Sequence, residues 1–126
     1  LRARQTALTV NEHLKLDITY SEDLTEWPGI SKWHGLTIDE IKLTSEYKSY
    51  NEKSINLLKT NEPLEEVYER VNKLFAKNRG TLFISHQETI RAFTYFHLND
   101  EDFSKNRPVH CELQIIEGNS ILSMTL

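Results

Sequence analysis

The chain has 126 residues and a formal net charge of −4 at pH 7, with 38% hydrophobic and 27% charged residues. This length and composition are typical of one globular domain with a sizeable core, and the acidic balance excludes the basic surface that nucleic-acid binding requires. The single cysteine excludes an internal disulfide and suits a reducing compartment, and no apolar stretch reaches the roughly 18 residues of a membrane helix. We therefore expect one cytoplasmic domain over residues 1–126, with no nucleic-acid or membrane partner.

The first part of the chain predicts a helix, a short strand and a loop. Apolar residues recur at helical spacing from Ala3 to Leu14, although no Ser, Thr, Asp or Asn precedes them as a cap. Residues 17–20 form a short strand candidate, and the following stretch is a loop because it contains Pro28 and Gly29. An uncapped helix without an initiator methionine indicates a chain that begins within a helix.

Two helical regions are predicted next. Thr37 is a candidate N-cap with Glu40 in capping-box register, and helical character continues with interruptions to about Leu58. A clearer amphipathic helix has Pro63 in its first turn and ends before Gly80. Its apolar face carries Leu64, Val67, Val71, Leu74 and Phe75.

The stretch GTLFISHQETIRAF at 80–93 combines a strand, a histidine and a helix. Residues 81–84 have the continuous β-prone character of a strand covered on both faces, and His86 stands at its carboxyl end. A mostly apolar helix is predicted from Thr89. The first-turn N–H groups of such a helix lack intrahelical partners and point back at the strand end, which makes the junction attractive to anions.

The end of the chain predicts a β-hairpin. Apolar residues alternate at 111–115, a turn follows at 117–120, and the alternation resumes from Leu122 to Leu126. Strands and helices therefore alternate along the chain, as they do in a three-layer α/β domain.

Few of the residues are able to carry chemistry. The five histidines show no paired metal-ligand spacing, and one cysteine is too few to complete a zinc site. No G-x-S-x-G elbow, Walker loop or dinucleotide fingerprint occurs in the sequence. We therefore predict no metal and no cofactor. What remains is a histidine at a strand end, an arginine in the first helix and a glutamate in an aromatic loop.

Taken in order, four stretches resemble motifs of the histidine phosphatase superfamily, whose fold is phosphoglycerate-mutase-like. RARQTA at 2–7 is similar to the helix motif R-A-x-Q-T-A, and LTEWPGISKWHGLT at 24–37 is similar to L-x-E…G-x-W-E-G-L-T. EPLEEVYERV at 62–71 resembles E-S-x-x-x-V-x-x-R-V, and SHQETIRAF at 85–93 resembles the strand-end motif S-H-G-x-x-I-R. The resemblance spans the whole chain and implies a three-layer α/β/α sandwich that is incomplete at its N-terminus.

The resemblance also implies roles for individual residues. Arg2 matches the phosphate-pocket arginine, His86 the second active-site histidine and Glu26 the usual proton donor, and Gln87 is a further candidate for phosphate binding. A guanidinium and an imidazolium around a phosphoryl group stabilise the negative charge that its oxygens carry in the transition state. A carboxylic acid whose pKa is raised by apolar neighbours such as Trp27 protonates the departing alkoxide.

The sequence departs from the family pattern in three places, one of which is the loop at 24–37, which looks one residue longer than the common pattern and has His34 where a glutamate is usual. The family's nucleophile is a histidine in an N-terminal R-H-G motif, and no R-H-G occurs in these 126 residues. We therefore expect a missing N-terminal segment of roughly one third of a domain, judged against usual domain sizes. Gln87 and Glu88 replace the frequent glycines after the histidine, and a carboxylate near a phosphate repels it unless it points outward or binds a cationic group.

Other prominent side chains have structural interpretations. Arg70 and Arg91 are expected to form structural ion pairs. The aromatic residues of the loop and the following helix fit a core cluster and the wall of a substrate pocket equally well. This set consists of Trp27, Trp33, Tyr47 and Tyr50.

Three functions are consistent with the sequence. We expect a phosphatase that hydrolyses small phosphomonoesters through a phosphohistidine, because only a short segment separates Glu26 from His86, whereas the glycolytic mutases of the family carry a longer insertion there. The alternatives are a phosphoglycerate mutase and a non-catalytic phosphate-binding or interaction module. The expected partner is a small phosphorylated substrate or phosphate, and a homodimer is a candidate assembly.

Overall fold

The structure, a computed structural model, describes residues 1–51, 60–100, 102–103, 105 and 107–125. Within these ranges the chain is mainly helical and ends in a two-stranded sheet. Short 3₁₀ turns at Glu22–Leu24 and Ser31–Trp33 shape the loop that follows the first helix. In chain order the other elements are α1 (Arg2–Leu14), α2 (Ile38–Lys42), α3 (Ser45–Asn51), α4 (Leu64–Lys77), α5 (Gln87–His97), β1 (Glu112–Glu117) and β2 (Ser120–Thr125).

The first helix, α1, forms where the apolar spacing predicted it. Leu1 occupies the N-cap position without a side-chain cap hydrogen bond, as the sequence indicated. The helix ends at Lys15, whose N–H still donates to the Asn11 carbonyl and whose left-handed backbone (φ 55°) turns the chain out of the helix. No residue of α1 is buried.

The capping box predicted at Thr37 is confirmed. The Glu40 N–H donates to Thr37 Oγ1 at 3.3 Å, and the Thr37 N–H donates in return to Glu40 Oε2 at 2.7 Å. This exchange satisfies two N–H groups that an uncapped helix leaves without partners. The predicted interruption is also present, because α2 ends at Lys42 and α3 begins at Ser45. The remainder of the predicted helix, up to Leu58, lies outside the described residues.

The core lies where the loop after α1 meets α3, α4 and α5. The ring of Trp27 stacks on that of Tyr50 with centroids 6.2 Å apart, and α4 turns the predicted apolar face inward. The aromatic residues of the loop and of α3 therefore belong to the core, which decides between the two interpretations that the sequence left open. The buried cluster consists of Trp27, Ile30, Tyr50, Leu64, Val67, Ala92 and Phe103, with Trp33, Tyr47, Tyr95 and Phe96 packed against it.

Two predicted strands are not formed. Residues 17–20 and 81–84 have no regular secondary structure, and Leu82 is 43% exposed although this run was expected to be covered on both faces. A strand requires a neighbouring strand to bond its N–H and C=O groups, and β1 and β2 are the paired strands of the described chain. The structure thus shows helices and a small sheet, and the three-layer sandwich stays a prediction.

The terminal hairpin is confirmed. β1 pairs antiparallel with β2, with Leu113 opposite Met124 and Glu117 opposite Ser120. The first strand begins at Glu112, one residue later than predicted, because Cys111 has a left-handed backbone (φ 59°) that a strand does not accommodate. The predicted final strand position, at residue 126, lies outside the described residues. In the described chain, no helix combines the length and the apolar character needed to span a membrane.

Candidate active site

His86 is the N-cap residue of α5. Its backbone is extended (φ −116°, ψ 154°), and its carbonyl accepts the first intrahelical bond, from Ile90 N–H at 2.9 Å. The helix therefore begins at Gln87, two residues before the predicted start. The apolar pattern missed this first turn because Gln87 and Glu88 are polar, although an acidic residue is favourable at a helix N-terminus. No side chain caps this end, so its first-turn N–H groups lie next to His86 without intrahelical acceptors.

The structure brings Glu26 into contact with His86. Oε2 of Glu26 lies 3.3 Å from Nδ1 of His86, although the two residues belong to distant parts of the sequence. The Glu26 side chain is 41% exposed and that of His86 is 18% exposed, so the pair is open to solvent mainly on the glutamate side. A small molecule from solution therefore has access to the carboxyl group and to the edge of the imidazole.

Burial shifts the pKa values of this pair toward their neutral forms. The pKa of Glu26 is raised, first by burial and then by the nearby Glu88 carboxylate, against the opposing effects of the Trp27 N–H and of two arginines. The pKa of His86 is lowered, first by burial and then by the charge of Arg2. Oε2 of Glu26 and Nδ1 of His86 are within ion-pair distance, yet burial, the largest cause of both pKa shifts, opposes ionisation of either group.

Arg2 and Gln87, the other predicted phosphate-binding residues, differ in their contacts. The charge of Arg2 affects the pKa of both Glu26 and His86, so its guanidinium is within electrostatic reach of the pair. The Arg2 side chain forms no hydrogen bond with the other described residues. The side-chain amide of Gln87 instead donates to the Pro108 carbonyl, which leaves its backbone N–H as the donor next to His86.

The Glu88 carboxylate is paired with two arginines. One carboxylate oxygen lies 3.2 Å from Arg91 Nη1 and the other lies 3.7 Å from Arg107 Nη2. Arg91 thus forms the structural ion pair predicted for it, and its Nε also donates to the Phe103 carbonyl at 2.8 Å. The Glu88 carboxylate, which we expected to repel a phosphate, is therefore paired with cations. It still raises the pKa of Glu26.

A single hydroxyl group on α5 holds the segment that carries Glu26. Oγ1 of Thr89 donates to the Thr25 carbonyl at 2.8 Å and accepts the Trp27 N–H at 3.1 Å. From the sequence, Thr89 was predicted only to be the start of a helix. A hydroxyl residue near a helix start does not reveal a partner more than sixty positions away.

Arg70 of α4 holds the same loop from the other side. Its guanidinium pairs with both carboxylate oxygens of Glu62, at 2.8 and 3.1 Å, which is the predicted structural ion pair. The remaining donors bond the carbonyls of Asp23 and Thr25. Loop residues on either side of Glu26 are thus tied to two helices.

The described residues contain no group of three His, Cys, Asp or Glu side chains arranged to hold a metal ion. The site brings together a half-buried carboxyl, an imidazole, a guanidinium and the uncapped N–H groups of a helix end. Such a set can bind an anion and move a proton.

The comparison with protein families agrees with this arrangement. The family model described as histidine phosphatase superfamily (branch 1) matches residues 1–120, a range that includes Arg2, Glu26 and His86. This match confirms the resemblance drawn from the four motifs. No curated protein and no solved structure matched the chain.

Proposed function

This chain belongs to the histidine phosphatase superfamily, and on that premise we propose that it is a phosphatase that hydrolyses small phosphomonoesters. The superfamily includes phosphatases and mutases, which supports phosphoryl transfer as the reaction type. The proposal rests above all on one contact, the 3.3 Å approach of Glu26 Oε2 to His86 Nδ1 beside the free N–H groups of α5. A proton donor next to an anion site is what cleavage of a phosphomonoester requires.

Phosphate binding is assigned to His86, Arg2 and the first-turn N–H groups of α5. The lowered pKa of His86 keeps its imidazole neutral when the site is empty, because burial and neighbouring positive charge oppose protonation. A phosphate dianion reverses this balance, since a nearby negative charge favours the imidazolium. Binding of the substrate therefore creates the cation that stabilises the transferring phosphoryl group.

Proton transfer is assigned to Glu26. Burial and the Glu88 carboxylate raise the pKa of its carboxyl, so the protonated form persists to higher pH than in an ordinary glutamate. As the P–O bond to the leaving group breaks, the carboxyl proton moves to the departing oxygen, which leaves as an alcohol rather than an alkoxide. The carboxylate that remains can then accept a proton from the attacking water in the second step.

The nucleophile is assigned to a histidine outside these 126 residues. In the family this histidine belongs to an R-H-G motif, which does not occur in the 126-residue sequence. In the first step a ring nitrogen of that histidine forms a bond to phosphorus while the bond to the leaving oxygen breaks. Water then attacks the phosphohistidine, releases inorganic phosphate and regenerates the free histidine.

The first prediction tests this assignment in the protein that carries the R-H-G segment. Incubation with a labelled phosphomonoester should yield an acid-labile phosphohistidine, and turnover should persist in EDTA. His86→Ala should lower kcat by about 10²–10³-fold, because it removes a group aimed at charge that develops in the transition state. His13→Ala, at an exposed position of α1, is the matched control and should leave kcat unchanged.

Each alternative function has a distinct outcome in this experiment. Transfer of the label to a second phosphoglycerate rather than to water indicates a mutase. Phosphate binding that depends on Arg2 and His86, without turnover, indicates a non-catalytic module. Loss of turnover in EDTA contradicts the phosphohistidine mechanism in favour of metal-assisted hydrolysis.

A further inference from the structure

We propose that Thr89 is the positioning residue for Glu26. Its hydroxyl donates to the Thr25 carbonyl at 2.8 Å and accepts the Trp27 N–H at 3.1 Å, so one oxygen bridges the two residues that flank Glu26. This inference rests on the proposed role of Glu26 as the proton donor. It adds a residue that acts on the reaction only through the position and the protonation of the Glu26 carboxyl.

The location of Thr89 suits it to this role. It lies in the first turn of α5, three residues after His86, and is only 1% exposed. A β-branched side chain in a helix has few allowed χ1 rotamers, so its hydroxyl has a well-defined direction. Because His86 and Thr89 belong to the same helix end, the bridge sets the position of Glu26 directly relative to the imidazole.

The hydroxyl also affects the protonation of Glu26. The Trp27 N–H lies close enough to the Glu26 carboxyl to lower its pKa, and the same N–H donates to the Thr89 oxygen at 3.1 Å. The charged or titratable groups around the Glu26 carboxyl are His86 and Glu88 of α5, Arg2 of α1 and Arg70 of α4. Without the Thr89 hydroxyl, we expect the Trp27 N–H to turn to the Glu26 carboxylate, because it loses its other acceptor. A hydrogen bond to the charged form lowers the pKa of Glu26.

Three variants separate the hydroxyl from its surroundings. Thr89→Val removes the hydroxyl and keeps the shape of the side chain, and Thr89→Ser restores a hydroxyl. Thr94→Val is the matched control, because Thr94 is fully buried in the same helix and its hydroxyl bonds the Arg91 carbonyl rather than the loop.

The first measurement is an NMR titration of the His86 ring, which requires no activity. In the unaltered protein the ring resonances should shift as Glu26 ionises, because the two groups are 3.3 Å apart. Thr89→Val should move this step to lower pH, whereas Thr89→Ser and Thr94→Val should keep it at the pH of the unaltered protein. An unchanged pH for this step in Thr89→Val would overturn the proposal.

The second measurement is turnover in the protein that carries the R-H-G segment. Thr89→Val should lower kcat for an alkyl phosphate by at least about tenfold and change kcat for p-nitrophenyl phosphate by less than about twofold, since the latter leaving group needs little protonation. The alkaline limb of the pH profile of Thr89→Val with the alkyl phosphate should move to lower pH. Equal losses on both substrates would contradict a positioning role.

Two further outcomes remain decisive. If no phosphomonoester is hydrolysed while Thr89→Val still moves the Glu26 step at His86 to lower pH, the proposed function fails and the positioning role stands. If Thr89→Val does not fold, the wild-type protein supplies the test. Its Thr89 hydroxyl proton, buried and bonded to Thr25, should be observable by NMR with a nuclear Overhauser effect to the Trp27 amide proton, and its absence would overturn the bridge.

Discussion

Glu26 and His86 show how burial changes the chemistry of two ordinary side chains. In water a glutamate and a histidine 3.3 Å apart favour the charged pair, yet here burial raises the pKa of one and lowers the pKa of the other. The pair therefore holds a proton on the carboxyl to higher pH than a solvated glutamate does. That proton is the one a leaving group requires.

At the residue scale, the second prediction concerns Glu26→Gln. This change should lower kcat for alkyl phosphates by about 10²–10⁴-fold and should largely spare p-nitrophenyl phosphate, whose leaving group needs little protonation. Because the active form is protonated, wild-type activity on alkyl phosphates should fall as pH rises through the raised pKa of Glu26. The variant should lack this limb of the pH profile.

Glu22→Gln is the control for Glu26→Gln, since Glu22 is an exposed glutamate of the same loop. It should keep both the rates and the pH profile of the unaltered protein. An equal loss on the two substrate types in Glu26→Gln would show that Glu26 orients the substrate rather than donating a proton.

At the scale of single elements, helix starts in this chain are set by different means. α2 has a complete capping box, whereas α5 begins at His86 without any side-chain cap. The uncapped start leaves N–H donors available at the site, while the capped start of α2 uses its donors locally. The stability of α5 must therefore come mainly from packing against α4 and the core.

The third prediction tests how α4 contributes to that packing. Leu64 is 4% exposed at the start of α4 and belongs to the buried cluster that includes Ala92 of α5. Leu64→Ala should lower the free energy of unfolding by about 2–5 kcal/mol, because it leaves a cavity in the core. Urea denaturation monitored by tryptophan fluorescence measures this change.

Glu69→Ala is the matched control for Leu64→Ala, because Glu69 is exposed on the same helix. It should change the free energy of unfolding by less than about 0.5 kcal/mol. A similarly small effect for Leu64→Ala would mean that the α4 face does not support the core.

At the scale of the whole molecule, long-range polar contacts connect the loop around Glu26 to the helices. Arg70 bonds two loop carbonyls, Thr89 bonds two loop residues, and Trp27 Nε1 donates to the Glu62 carbonyl at 2.8 Å. Loops are ordinarily the more mobile parts of a domain, so a catalytic group on a loop needs such support.

The fourth prediction concerns Arg70→Lys. An ammonium group cannot reproduce the planar fork that binds Glu62 and the carbonyls of Asp23 and Thr25 at once, so some of these acceptors lose their partner. We expect a loss of about 1–3 kcal/mol in the free energy of unfolding. Hydrogen exchange should also become faster for the amides of the 3₁₀ turn at Glu22–Leu24.

Lys42→Met is the control for Arg70→Lys, since Lys42 forms an exposed ion pair with Asp39 in which the side chains are 52% and 94% exposed. It should change stability by less than about 0.5 kcal/mol. Unchanged exchange at Glu22–Leu24 in Arg70→Lys would show that Arg70 does not hold the loop.

The features that the sequence alone determined are those that depend on local patterns. The spacing of apolar residues determined α1 and α4, the Thr37–Glu40 register determined the capping box, and alternation around Gly118 determined the hairpin. Each of these rests on interactions between residues a few positions apart or across a tight turn. The motif order likewise determined the family, because four short stretches in one order are themselves a property of the sequence.

What only the tertiary structure decided depends on which distant segments meet. Residues 81–84 have strand-like composition, yet pairing requires a neighbouring strand, which composition does not specify. The pairing of Glu88 with Arg107 and the bridge from Thr89 to Thr25 and Trp27 likewise join segments that no periodicity relates. The pKa shifts of Glu26 and His86 also depend on tertiary packing. Burial is the largest cause of both shifts, and it arises only when the chain has folded.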